Sequence, residues 1–209
     1  MYDPELPYWT RLLIILVVLL VCLRLTGYGQ ALRPLAAPRS ASRVAQGRNA
    51  TLIVLWLTQR LDVREATGHN DGPGVAAIVR AGGGDPRDRP EWCGYTRAAA
   101  QRSVGLPIPL AGMQGAARAW FVPSPRLLYR AGSVGSLDSL RVGLCGGVWH
   151  RENIHHIVTI AELGRPLRKG RAPRTVWCLA GNEGVGLNAG LHRSLYPATA
   201  MFALANWLY

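Results

Sequence analysis

The stretch PEWCGYTRAA, residues 90–99, gives the clearest local signal in the sequence. A loop rich in Gly and Pro precedes it, and Trp92 and Cys93 then open a segment with an alanine-rich face, which predicts a helix over residues 91–104. The N-terminus of a helix stabilises a thiolate through the helix dipole and the free N–H groups. Cys93 is therefore a candidate nucleophile, although spacing alone also allows a buried structural cysteine.

Two further polar positions could serve such a nucleophile. His155 and His156 open the apolar run HHIVTIAE, and an imidazole within hydrogen-bond reach of a thiol can act as its base. Asn182 follows Gly181 after another apolar run, and an amide there could orient the imidazole through its second nitrogen. The residues alone also fit an exposed histidine pair and a plain turn at GNEG.

Around these positions the chain changes from a helical to a strand-like pattern. Residues 51–61 are apolar and predict a buried helix, with a strand as the competing interpretation, and residues 75–81 predict a short helix. The later apolar runs are short and separated by Gly, Pro and Arg, as strands are; they cover residues 142–149, 156–161, 175–179 and 191–195. Helices first and strands later favour an α+β fold over an alternating α/β fold.

The N-terminal segment, residues 1–26, contains an unbroken apolar run from Leu12 to Leu23. A helix of this length would span about 18 Å, whereas a bilayer core requires roughly 20 residues. The run therefore suits the apolar core of a secretory signal, with small residues at Gly27 and Gly29 before a cleavage site. Residues 8–25 would form the anchor if the segment stays in the membrane, and a buried helix is the remaining alternative.

The chain is strongly basic, with 24 Lys and Arg residues against 12 Asp and Glu residues and a net charge of +12. Lys169 is the only lysine, and an arginine bias of this kind can also reflect codon composition. Apolar residues make up 49% of the chain, which is enough for a core and excludes wholesale disorder. A polyanionic partner is the electrostatic expectation.

Residues 27–49 are rich in Pro, Ala, Ser, Gly and Arg and predict a flexible basic linker before a folded domain at residues 50–209. This linker suits an anionic membrane surface or wall polymer. The other arginines form no stripe with interleaved aromatic residues, so we expect no specific nucleic-acid partner. Arginines after the apolar run would keep the body in the cytoplasm if the segment is retained, whereas a cleaved signal would export it; we favour export.

The cysteines and histidines do not form a recognisable metal motif. Cys145, His150 and His155 are spaced by five residues and Cys178 is also available, but there is no CxxC and no HExxH. The sequence also lacks a GxGxxG turn and a phosphate loop, so we expect neither a metal nor a cofactor. The body holds an odd number of cysteines, Cys93 included, and at least one thiol must therefore be free.

Four motifs in order resemble a CHAP domain, the cysteine, histidine-dependent amidohydrolase/peptidase family of papain-like peptidoglycan hydrolases. They are LDVREATGHNDGPGV at residues 61–75, PEWCGYTRAA at 90–99, HHIVTI at 155–160 and LAGNEGVGLNAGLHR at 179–193. The resemblance runs from about Leu52 to the C-terminus. It implies a papain-like fold, in which N-terminal helices pack on a C-terminal antiparallel sheet.

The resemblance also implies a bacterial cell-wall hydrolase that is exported to the periplasm or beyond and binds peptidoglycan. Cys93 would attack an amide of the wall peptide, or its link to muramic acid. His156 would be the general base, because its register fits the motif better than that of His155, and Asn182 would orient its imidazole. Glu65 would stabilise the segment before the helix rather than act in the chemistry.

The chain departs from the family pattern at several positions. The Pro-Gly-Asp that usually precedes the histidine strand is missing, Val158 stands where Gly is common, and Ala180 stands where some relatives carry Glu. Gly94 replaces a frequent Ala directly after the cysteine. The missing Pro-Gly-Asp acid, together with an apolar N-terminal segment that looks retained, supports an alternative, in which the domain is a catalytically inactive CHAP-like component of an envelope or phage-like assembly.

Overall fold

The structure is a computed structural model that describes residues 39–109, 112–150, 153–164 and 174–209. The chain divides into two compact units, Met1–Ala41 and Ser42–Tyr209. The first unit, including the predicted signal or anchor at residues 1–26, lies outside the described residues except for residues 39–41. Among the described residues, no helix is long and apolar enough to cross a membrane.

Three helices form the first half of the described chain: α1 (Arg39–Thr58), α2 (Pro73–Gly82) and α3 (Cys93–Ser103). Residues 39–49 of α1 belong to the segment that we predicted as a flexible linker, and this part of the prediction is wrong. The prolines of the linker end at Pro38, and the chain from Arg39 to Thr58 contains none, so nothing interrupts the helical hydrogen bonds. The rest of the linker, residues 27–38, lies outside the described residues.

The second half forms a sheet of seven strands: β1 (Leu127–Arg130), β2 (Val134–Gly135), β3 (Cys145–His150), β4 (Asn153–Leu163), β5 (Thr175–Glu183), β6 (Gly190–Pro197) and β7 (Met201–Ala205). The strand order is β2-β1-β7-β3-β4-β5-β6, and all pairings are antiparallel. The described chain is therefore an α+β fold, as the sequence predicted.

The helix α3 lies on β4 and β5, where its buried side chains contact the sheet. Arg97 fixes this contact: its guanidinium is fully buried and donates 3.0 Å hydrogen bonds to Oγ1 of Thr159 on β4 and to the carbonyl of Gly143. Gly181 on β5 permits the close approach, because a Cβ there would lie 2.5 Å from the Trp92 ring. The fold thus brings the start of α3 to the ends of two strands.

Candidate active site

The site begins at the first turn of α3, where Cys93 is the first helical residue and Trp92 is the cap. The carbonyl of Trp92 accepts 2.8 Å hydrogen bonds from the backbone N–H and the hydroxyl of Thr96. The Trp92 ring is completely buried, and its Nε1 donates to Glu65, whose carboxylate also accepts from the N–H of Asn70. The helix start is therefore held on both sides, by the sheet and by the loop that carries Glu65.

The Cys93 thiol is buried, with 4% of the residue exposed. Burial raises the pKa of the thiol to about 11, and the charge of Glu91 adds to this rise. The nearby backbone N–H groups of Ile157, Gly94 and Cys93 itself act in the opposite direction and lower the pKa of the thiol. Burial prevails over these contacts, so that the thiol is protonated at neutral pH.

His156 precedes Ile157 on β4, so the Cys93 sulfur lies against the peptide group that follows the predicted base. Burial lowers the pKa of His156, whereas the carboxylates of Glu183 and Glu91 raise it; the net direction is downward. The Nε2 atom is buried without a hydrogen-bond partner. Among the described contacts, no hydrogen bond joins the Cys93 sulfur to the His156 imidazole. The thiol and the imidazole are both neutral at pH 7.

Asn182 lies near the end of β5 in a left-handed backbone conformation, with φ of 59°. Asparagine tolerates this region better than most residues. The register between β5 and β6 shifts between Ala180 and Glu183, so Asn182 forms part of a bulge. β4 and β5 pair as far as Thr159 and Leu179, so His156, three residues before Thr159, and Asn182, three residues after Leu179, lie toward the same end of the two strands.

The three predicted site residues lie on one helix and two neighbouring strands, and no hydrogen bond of the described residues joins their side chains. Cys93 lies close to the strand that carries His156, and the next strand carries Asn182 toward the same end of the strand pair. A neutral imidazole can accept the proton of a neutral thiol as the sulfur attacks a carbonyl. This chemistry requires the His156 ring to come within hydrogen-bond distance of the Cys93 thiol.

The sequence did not point to Glu183 or Tyr196, which form a half-buried polar pair on neighbouring strands. The Tyr196 hydroxyl on β6 donates a 2.7 Å hydrogen bond to Oε1 of Glu183 on β5. Burial raises the pKa of Tyr196, and this hydrogen bond raises it further. The one sequence feature that could have indicated this pair is the acid directly after Asn182, and the GNEG stretch that contains it resembles an ordinary turn.

Cys145 and Cys178, the other two cysteines of the described residues, are both buried. Cys93, Cys145 and Cys178 are all free thiols. Burial raises the pKa of Cys145 to about 11 and that of Cys178 to about 12, so neither is activated. Within the described ranges, no group of three or more His, Cys, Asp or Glu side chains could hold a metal ion. The side chain of His150 lies outside the described residues.

Comparison with known proteins gives no match: no family model, no curated protein and no solved structure matches the chain.

Proposed function

We propose that this protein is a cysteine-dependent hydrolase of the papain-like CHAP kind that cleaves an amide bond of peptidoglycan. Cys93 is the nucleophile and His156 the general base. The observation that carries the proposal is the position of the Cys93 sulfur. It lies at the first residue of a helix and against the N–H of the residue that follows His156.

The neutral state of both groups defines the mechanism. As the Cys93 sulfur bonds to the amide carbonyl carbon, His156 removes the thiol proton, and the backbone N–H at the helix start donates to the oxyanion. The C–N bond then breaks, the imidazolium returns the proton to the leaving amine, and a thioester remains. Water attacks the thioester with His156 again as base, which releases the acid and restores the thiol.

The substrate and the location rest on the resemblance and on the charge of the chain. A net charge of +12 favours attraction to anionic wall polymer or to anionic lipid headgroups. On this proposal the protein is exported, to the periplasm or outside the cell, and residues 8–25 are either its signal core or its anchor. Peptidoglycan is its substrate, either within the stem peptide or at the link to muramic acid.

The proposal is tested with the full chain and purified peptidoglycan, by counting the amino groups that amide cleavage releases. Cys93→Ala removes the nucleophile and should reduce the release to background. Cys145→Ala is the matched control, because it removes a thiol that is also buried but lies outside the proposed chemistry. Equal release by the wild-type chain and Cys93→Ala would refute the proposal.

One observation favours a second function, that of a catalytically inactive component of an envelope or phage-like assembly. The Cys93 thiol is buried and protonated, and no hydrogen bond among the described residues joins it to His156. Ala180 also stands where some relatives carry an acid. This function predicts that the wild-type chain releases no amine and purifies as a stoichiometric part of a large particle, with Cys93 unreactive toward an alkylating probe.

A further inference from the structure

The geometry points to Glu183, rather than Asn182, as the residue that positions the His156 ring. The catalytic meaning of this pairing rests on the function proposed above, whereas the pairing itself is a property of the fold. In this arrangement Tyr196 holds one oxygen of the Glu183 carboxylate, and the other oxygen is left to accept a hydrogen bond from the imidazole.

The first support is the position of the two side chains along their strands. β4 and β5 pair as far as Thr159 and Leu179, so His156, three residues before Thr159, and Glu183, four residues after Leu179, lie toward the same end of the strand pair. The bulge between Ala180 and Glu183 changes the ordinary alternation of side chains at this point. Asn182 takes the left-handed conformation within the bulge, so its backbone shapes the turn that carries Glu183.

The second support is a pair of buried atoms with complementary hydrogen-bonding capacity. Oε1 of Glu183 accepts from Tyr196, but Oε2 is buried without a partner, and so is Nε2 of His156. A buried polar atom without a partner costs free energy. Oε2 of Glu183 is an acceptor, and Nε2 of His156 is a donor when the ring proton is on that nitrogen, so the two atoms can form a hydrogen bond with each other.

The third support is the set of charges around the ring. The carboxylates that act on His156 are Glu183 on β5 and Glu91 before α3, and Glu183 has the larger effect. Tyr196 and Cys178 are the other titratable neighbours of Glu183, and both are neutral at pH 7 because burial raises their pKa values. Glu183 is thus the principal charge that can stabilise an imidazolium at this position.

The Asn182 side chain has a different part in this account. Its left-handed backbone conformation is required for the bulge, and this requirement is met by asparagine and by glycine. Removing the Asn182 amide while keeping the backbone should therefore leave the His156 ring unchanged. This expectation separates the two candidate positioning residues, which are neighbours in the sequence.

The test is an NMR titration of the histidine C–H signals of the full chain, in which the His156 signal is assigned by its loss in His156→Gln. Glu183→Gln keeps an oxygen that can accept from Tyr196 but removes the charge, so the pKa of His156 should fall below its wild-type value. Asn182→Gly keeps the backbone conformation and should leave the pKa of His156 unchanged. Glu91→Gln should lower the pKa less than Glu183→Gln does.

An unchanged pKa of His156 in Glu183→Gln, or a fall in Asn182→Gly as large as that in Glu183→Gln, would overturn the inference. A measurement on the wild-type chain covers the case in which a variant fails to fold. The carboxyl ¹³C signal of Glu183 should shift at the midpoint of the His156 titration. A Glu183 signal that does not change at this midpoint would also overturn the inference. Neither readout needs hydrolysis, so the pairing can hold even if the proposed activity fails. If the chain hydrolyses peptidoglycan, the acid limb of its pH profile should also move to lower pH in Glu183→Gln.

Discussion

The indole Nε1 of Trp92 donates a 2.9 Å hydrogen bond to Oε1 of Glu65, across 27 residues of sequence, and both side chains are buried. The other carboxylate oxygen accepts from the N–H of Asn70 at 2.9 Å. The hydrogen bond from Trp92 to Glu65 attaches the loop before α2 to the cap of α3, and this cap directly precedes Cys93. The position of the sulfur therefore depends on a loop residue that lies outside the proposed chemistry.

Glu65→Ala should destabilise the fold substantially, because it leaves the Trp92 and Asn70 donors without an acceptor. Hydrogen bonds to a charged group and the cost of unsatisfied buried donors together suggest a loss of about 2 to 4 kcal/mol in the free energy of unfolding. Urea denaturation measures this loss. Glu162→Ala is the control: this exposed carboxylate pairs with Arg193 at the surface, where such pairs contribute about 0 to 1 kcal/mol. Equal losses in the two variants would contradict the account.

Gly94→Ala should destabilise the fold and displace the start of α3. A Cβ at this position would lie 2.6 Å from the carbonyl oxygen of Gln114 and closer still to that of Gly115, and backbone cannot move aside as a flexible side chain can. Overpacking of this kind costs about 1 to 3 kcal/mol. Gly47→Ala on α1 meets nothing within 4 Å and should stabilise its helix by about 0.5 to 1 kcal/mol. The account is wrong if the thermal unfolding temperatures of Gly94→Ala and Gly47→Ala change in the same direction.

Alkylation of Cys93 in the native chain should accelerate steeply with pH. Only the thiolate reacts, and because burial raises the pKa of Cys93 to about 11, the reactive fraction should grow about tenfold per pH unit between pH 7 and pH 10. Iodoacetamide labelling followed by mass spectrometry gives the rate, and Cys93→Ala gives the background from the other thiols. A rate that levels off below pH 8 would show a thiolate that the folded chain has already activated.

The pH profile of hydrolysis should have an acid limb set by His156. Burial lowers the pKa of His156, so the imidazole stays neutral, and able to accept a proton, down to a pH below the ordinary histidine value of about 6.5. Amine release from peptidoglycan should be constant between pH 7 and pH 8 and fall only in more acidic solution. A fall that begins above pH 7 would mean that the imidazole is not the buried, neutral base described here.

Much of the fold follows from local patterns in the sequence. The helix that begins at Cys93 was predicted from a Trp-Cys pair after a Gly- and Pro-rich loop, and the strands β3 to β6 were predicted from short apolar runs. The strand β7 was missed, because MFALA is apolar throughout and shows neither the alternation of a half-exposed strand nor a turn signal. The strand β1 was missed as well, because LLYR is short and follows a Pro-rich loop.

The candidate site rests on residue types that the sequence shows, whereas its contacts could not be predicted from the sequence. A histidine pair and a Gly-Asn pair are visible in the sequence, and the antiparallel pairing of β4 with β5 places them toward the same end of the two strands. The sequence does not show that Tyr196 folds back across the β5–β6 hairpin onto Glu183, or that burial keeps Cys93 and His156 neutral. These features depend on which side chains the sheet encloses, and no local pattern encodes that.

The pairing of Cys93 with His156, and not with its neighbour, is the central claim, and comparing His156→Gln with His155→Gln tests it most directly. The His155 ring is exposed, whereas Nε2 of His156 is buried at the site. Amine release from purified peptidoglycan should fall to the level of Cys93→Ala in His156→Gln and stay near the wild-type rate in His155→Gln. Full activity in His156→Gln, or loss of activity only in His155→Gln, would contradict the account.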